Sequence, residues 1–128
     1  MSHYTVIKNT ILNDREILLK TLGLLGYAFR EKTEIQGHHN NWFMDVAVKT
    51  GGHYRIGFNE QDDGTYSIIA DWQDVELFDG LSESSFVGKF YQTYNTEKIT
   101  SEAVKKGYAV IQKTKVGEGI KLVLRKVA

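Results

Sequence analysis

The chain has 128 residues and a mass of 14.6 kDa, with 41% hydrophobic and 25% charged residues and neither proline nor cysteine. That is the composition of one ordinary globular domain, 1–128; it excludes disorder, disulfides, thiol catalysis and cysteine-based metal sites. The formal charges cancel, but unevenly: residues 1–55 carry a net +2, residues 56–88 carry eight acids and no Lys or Arg, and residues 89–128 carry a net +6. The acidic middle and the basic end either neutralise each other in the fold or form two functional patches. An evenly basic surface for nucleic acid is disfavoured. No apolar run approaches the roughly 18 residues of a membrane span, so no membrane insertion is expected.

In chain order, Met1-Ser2-His3-Tyr4 reads as neither a signal nor a transit peptide and leads into a strand over Tyr4–Ile7. Asn13-Asp14-Arg15-Glu16 has the form of a capping box, and Ile17, Leu18, Leu22 and Leu25 follow at helical spacing, which predicts a helix over Asp14–Leu25. Gly26 stands where a left-handed C-cap belongs, and Gly23 suggests close packing of this helix on a sheet. Strands are predicted over Ala28–Gln36, Trp42–Thr50, Tyr54–Glu60 and Thr65–Trp72, punctuated by the turns Gly37–Asn41, Gly51-Gly52 and Asp62-Asp63-Gly64. Gln73–Ser82 reads as an acidic loop. A long helix follows over Ser84–Lys106, with Phe86, Phe90, Tyr94, Ile99 and Ala103 on one side and a break near Asn95-Thr96. Tyr108–Val116 and Ile120–Val127 form a last hairpin around Gly117-Glu118-Gly119.

The segments Gly26–Thr33 and Gly107–Thr114 resemble each other, sharing a Gly-Tyr-Ala start and a Lys-Thr end. A helix–strand–strand unit therefore occurs twice. The expected fold is α+β: one antiparallel sheet with two helices on one face, in the order β-α-β-β-β-β-α-β-β.

Few residues suggest chemistry. The four histidines, His3, His38, His39 and His53, do not converge in this layout, so no metal site is expected, and no nucleophile, phosphate-loop or dinucleotide motif is present. No catalytic or cofactor-binding residue is assigned. Asp71 lies between Ala70 and Trp72 at a strand end; it caps the next segment, pairs with a base such as Arg55, or acts as an acid or base in a pocket near Trp72. Phe86, Phe90 and Tyr94 recur every four residues, as a core stripe does. Trp42, Tyr54, Tyr66, Tyr91 and Trp72 are candidates for an aromatic sheet face turned away from the helices. Such a face stacks single-stranded RNA in some proteins and forms a partner or dimer interface in others.

Ser2–Lys8, Leu25-Gly26-Tyr27, Tyr54–Phe58, the stretch from Asp63-Gly64-Thr65-Tyr66 to Ala70-Asp71-Trp72, and Lys105-Lys106-Gly107-Tyr108 together resemble the family of hypothetical chloroplast open reading frame thirty-five, found in cyanobacteria and algal plastid genomes. The resemblance covers nearly the whole chain, with one departure: Asn95-Thr96 stands where the family has an aromatic-rich helix centre. It implies a cyanobacterial cytoplasm or a plastid stroma and carries no activity.

The leading expectation is a soluble non-enzymatic binding or assembly-factor domain with a protein partner, homo-oligomers included. Trp42, Tyr54, Arg55, Tyr66, Asp71 and Trp72 are its candidate binding surface. A small enzyme using Asp71 and a weak single-strand RNA binder are the alternatives.

Overall fold

The first helix, α1 (Arg15–Leu24), starts where the Asp14 carboxylate accepts from the Ile17 amide at 3.1 Å. It ends in a Schellman motif: the Tyr27 amide donates to Leu22 carbonyl and Gly26, at φ 82°, donates to Gly23. The computed structural model describes residues 5–8, 12–35, 41–116 and 119–127. The predicted Gly37–Asn41 turn, His3, His38, His39 and the Gly117-Glu118 turn fall wholly or largely outside them.

Five strands form an antiparallel sheet: β1 (Thr5–Lys8), β2 (Phe29–Ile35), β3 (Trp42–Thr50), β4 (His53–Glu60) and β5 (Tyr66–Ala70), in the spatial order β1-β5-β4-β3-β2. Gly51 and Gly52, at φ 54° and 93°, make the two-residue β3–β4 turn, because both central positions of such a turn need positive φ. The Asp63 carboxylate accepts from the Thr65 amide at 3.0 Å and closes the β4–β5 turn.

Two irregularities re-aim side chains. The β3–β4 register passes from Val48↔Ile56 to Lys49↔Tyr54, which leaves Arg55 as an extra residue on β4. On β2, Lys32 takes a φ of 51°, and the ladder has no paired residues between Glu31↔Val46 and Thr33↔Met44. Met44 joins Ala47 on the second sheet face, although it is two residues from Val46, whose side chain packs on the first.

The helices cover that first face. The main core joins Leu18 and Leu22 of α1 to Val46, Val48, Ile56, Phe58, Ile68 and Ala70 of the sheet. It also takes in Trp72 and Val75 of α2 (Trp72–Asp79), and Phe86, Phe90 and Tyr94 of α3 (Glu83–Lys105). On α3, Phe86 and Phe90 stack at 6.1 Å and Phe90 and Tyr94 at 5.9 Å. The Tyr94 hydroxyl accepts from the Asn13 and Asp14 amides at 3.2 and 3.0 Å, so an α3 side chain satisfies donors at the start of α1 that no helical carbonyl can reach.

The α+β class and the order of the expected elements hold. Five details differ. The acidic loop contains a helix, α2, which takes Trp72 out of the preceding strand. The last hairpin, β6 (Tyr108–Val116) and β7 (Gly119–Lys126), is a separate two-stranded sheet. Helix α3 runs unbroken through Asn95-Thr96, where the Thr96 hydroxyl donates to Gln92 carbonyl at 2.8 Å. Gly23 is exposed with open space beside it rather than packed on the sheet, and Ile99 is exposed rather than in the core.

Hairpin β6–β7 is tied to the rest through Glu97, a buried carboxylate on α3. Lys20 of α1 lies 3.0 Å from one of its oxygens and Lys113 of β6 lies 3.2 Å from the other. Burial pushes this carboxyl up, but the two lysines together outweigh it and hold it below its ordinary value of 4.5.

Two predictions follow from adjacent residues and from this carboxylate. Leu22→Ala should lower the unfolding free energy by about 2–5 kcal/mol as a core truncation. Gly23→Ala, one position later, should raise it by about 0.5–1 kcal/mol, because a methyl there meets nothing and the unfolded chain loses freedom. Urea melts read both, and a loss at Gly23 would put that side of α1 against packing. For Glu97, a folded pKa below the unfolded one means that its stabilisation is complete above the unfolded value and disappears as pH falls through the folded value. The stability gap between wild type and Glu97→Gln should therefore be full near neutrality and close as pH drops below 4.5. A gap independent of pH in urea melts would contradict this.

Candidate functional site around helix α2

Helix α2 forms because Asp71 ends β5 in extended conformation and caps the next turn. Its Oδ1 accepts from the Asp74 amide at 3.3 Å, and Gly80, at φ 65°, closes the other end. Trp72 and Val75, three residues apart, face the core, and the Trp72 ring lies 5.9 Å from Phe86. Asp71 Oδ2 and Trp72 Nε1 are buried without a hydrogen-bond partner among the described residues. The start of α2 is thus held by packing and one capping bond.

The other end is held by charge. Asp79 Oδ2 accepts from the Thr50 hydroxyl at 2.7 Å and lies 3.3 Å from Arg55 Nε. The Arg55 and Asp79 side chains are 11% and 3% exposed, so the pair is shielded from water. A Cβ on Gly51 would collide with this carboxylate, so glycine is required there for space as well as for its φ of 54°. The bulge in β4 is what brings Arg55 to the pair.

Past this anchor the helix presents apolar surface. Leu77 is 75% exposed and Phe78 is 62% exposed. The Arg55 guanidinium lies 4.9 Å from the centre of the Phe78 ring and so holds it in place from behind. Glu76, also exposed, adds a charge beside them.

The six residues picked out from the sequence do not form one surface. Arg55, Asp71 and Trp72 belong to the mounting of α2. Tyr66 is buried on the helix side and its hydroxyl accepts from Arg15 at 3.3 Å. Tyr91 is on α3, half-buried against Phe90. Tyr54 is on the opposite sheet face, where Arg30 lies 5.0 Å and Lys49 6.0 Å from its ring centre, and where it borders a shallow polar cleft of about 410 Å³ with Thr33 and His53. Trp42 is 45% exposed at the start of β3. Arg55 pairs with Asp79, not with Asp71. Thr50, Leu77, Phe78 and Asp79 are the site residues that sequence reasoning missed. The signal for them was an Asp cap at 71, Trp72 and Val75 at helical spacing, and Gly80 as a stop.

The family model described as Protein of unknown function (DUF1257) matches residues 21–123, more than three quarters of the chain. The chain belongs to that family. No curated protein and no solved structure matches it. The DUF1257 match runs from within α1 into β7, so the whole of α2 and its anchor lie inside the family region. No helix among the described residues is long and apolar enough to cross a membrane.

Asp79→Ala should cost about 3 kcal/mol, because it leaves the shielded Arg55 charge without its partner. Thr50→Val should cost about 1 kcal/mol for one lost hydrogen bond. Urea melts of the two variants check the ranking. An Asp79→Ala protein as stable as wild type would mean that this carboxylate does not hold α2.

Proposed function

We infer that this DUF1257 protein is a non-enzymatic binding or assembly-factor domain that docks a protein partner on α2. The observation that carries this is Leu77 and Phe78, two large apolar side chains more than half exposed on a helix fixed by a shielded ion pair. Exposed apolar residues on a rigid mount give up little conformational entropy when they are covered, and aromatic anchors of this kind dominate binding energy at interfaces. The capping role of Asp71 supports a structural part for it over acid–base chemistry. On the far face, the two cations over Tyr54 already engage its ring, which counts against a bare stacking platform for RNA bases. The motifs shared with the cyanobacterial and plastid family support a bacterial cytoplasm or plastid stroma as the place of action.

The test is capture from native lysate on immobilised protein, with wild type and a Leu77→Asp/Phe78→Ser double variant side by side. The variant loses the Arg55–Phe78 contact and no buried side chain, so it should stay folded, with a stability loss of about 1 kcal/mol in urea melts. It should lose proteins that wild type retains. Identical captured sets from the two proteins would overturn the reading.

A further inference from the structure

The ion pairs Arg15–Glu31, Lys20–Glu97, Arg55–Asp79 and Lys113–Glu97 among the described residues do not join residues 56–88 to residues 89–128. Geometry explains this. Helix α2 directly precedes α3, and hairpin β6–β7 follows α3 and lies along its last turns. From Glu83 to Ile99, α3 rises about 24 Å, so the acidic, apolar end and the basic, apolar end are held apart by a rigid rod.

The basic end carries an open apolar cleft of about 200 Å³, lined by Ile99, Glu102, Ala103, Lys106, Tyr108 and Leu124. Ile99, Leu124 and Tyr108 are 51%, 39% and 36% exposed. An apolar space of about 150 Å³ accommodates a benzene ring, so this cleft has room for one phenyl side chain. Lys105 and Arg125 adjoin Lys106 and Leu124 in sequence, Lys126 pairs with Tyr108 across the hairpin, and all three are exposed. No described side chain of β6 or β7 is buried, although a two-stranded hairpin is marginal when nothing covers it. The opposite end of the same molecule presents a phenyl ring that the cleft has room for, with a leucine and an exposed glutamate beside it at 76–78.

Resting on the docking reading above, we propose that the occupant of the cleft is a second copy of this chain. Phe78 and Leu77 of one copy seat among Ile99, Ala103, Tyr108 and Leu124 of the next, with Glu76 against Lys106 and its basic neighbours. The two halves of the contact are different surfaces at opposite ends, so copies either add head-to-tail in a ring or a row or pair antiparallel with each knob in the other's cleft.

Sedimentation velocity over a concentration series tests this with two variants at exposed positions. Leu77→Asp/Phe78→Ser blocks the knob, and Ile99→Asp/Leu124→Asp blocks the cleft. Wild type should rise above its 14.6 kDa chain mass with concentration, and less so as salt screens the charges. Each variant alone should self-associate at least about tenfold more weakly, as loss of an interface anchor does. Mixed in equal amounts, the two should form a species of twice the chain mass that grows no further, because each keeps one intact half. Should either double variant fail to fold, Glu76→Lys and Lys106→Glu take its place: each alone weakens association, and both together in one chain restore it. Wild type that stays at 14.6 kDa throughout, or a mixture that does not recombine, overturns the proposal. A monomeric wild type whose knob variant still loses captured lysate proteins overturns self-association alone and leaves the docking reading standing.

Discussion

The Phe86–Phe90–Tyr94 ladder on α3 is the contact on which the other elements depend. Its rings pack on Phe58 in the middle of the sheet and on Trp72 at the start of α2, and Tyr27, just after α1, lies 5.4 Å from Phe86. At its lower end the Tyr94 hydroxyl takes two amide donors at the entry to α1. One stripe of a single helix therefore fixes the sheet, the start of one neighbouring helix and the start of the other. Each ring supplies large apolar area with few rotatable bonds, so the ordering costs less entropy per unit of surface covered than long aliphatic side chains would.

This arrangement separates the residues that pack the fold from the surface that is left over. Val75 and Trp72 are spent on the core, and Asp79 on the β3–β4 turn. The side chains of residues 76–78 are left exposed, and the Phe78 ring rests on Arg55. A helix of eight residues is too short to persist alone. Its order comes from tertiary contacts at both ends, and that order makes its outer side chains a defined shape.

Much of the architecture was legible from periodicity and punctuation. The every-fourth-residue aromatics marked α3, Asp14 and Gly26 bracketed α1, and Gly51-Gly52 and Asp62-Asp63-Gly64 marked their turns. The repeat of Gly-Tyr-Ala was real at the local level: Gly26 and Gly107 both take positive φ, and each leads from a helix into an antiparallel pair. It misled at the level of the sheet, because the first pair is extended by three more strands and the second by none. Helix α2 escaped because Trp72 continues the apolar run Ile68-Ile69-Ala70 and so read as strand, while an eight-residue helix shows barely two turns of period. The site residues escaped with it. Arg55 was singled out, but its partner depends on a one-residue bulge that no local pattern reveals.

Hairpin β6–β7 has a different standing from the five-stranded sheet. The sheet closes over Phe58, Ile56 and Val48, all fully buried, whereas the hairpin rests on α3 with half-exposed side chains and the Lys113–Glu97 pair. Its ladder hydrogen bonds are the cheaper ones to open, so the hairpin is the weaker unit, and its backbone amides are expected to exchange with solvent before those of β3 and β4. Anything that binds at its base, a second copy included, then acts as a ligand for the closed form of the weaker unit, and occupancy and local folding at that end rise and fall together.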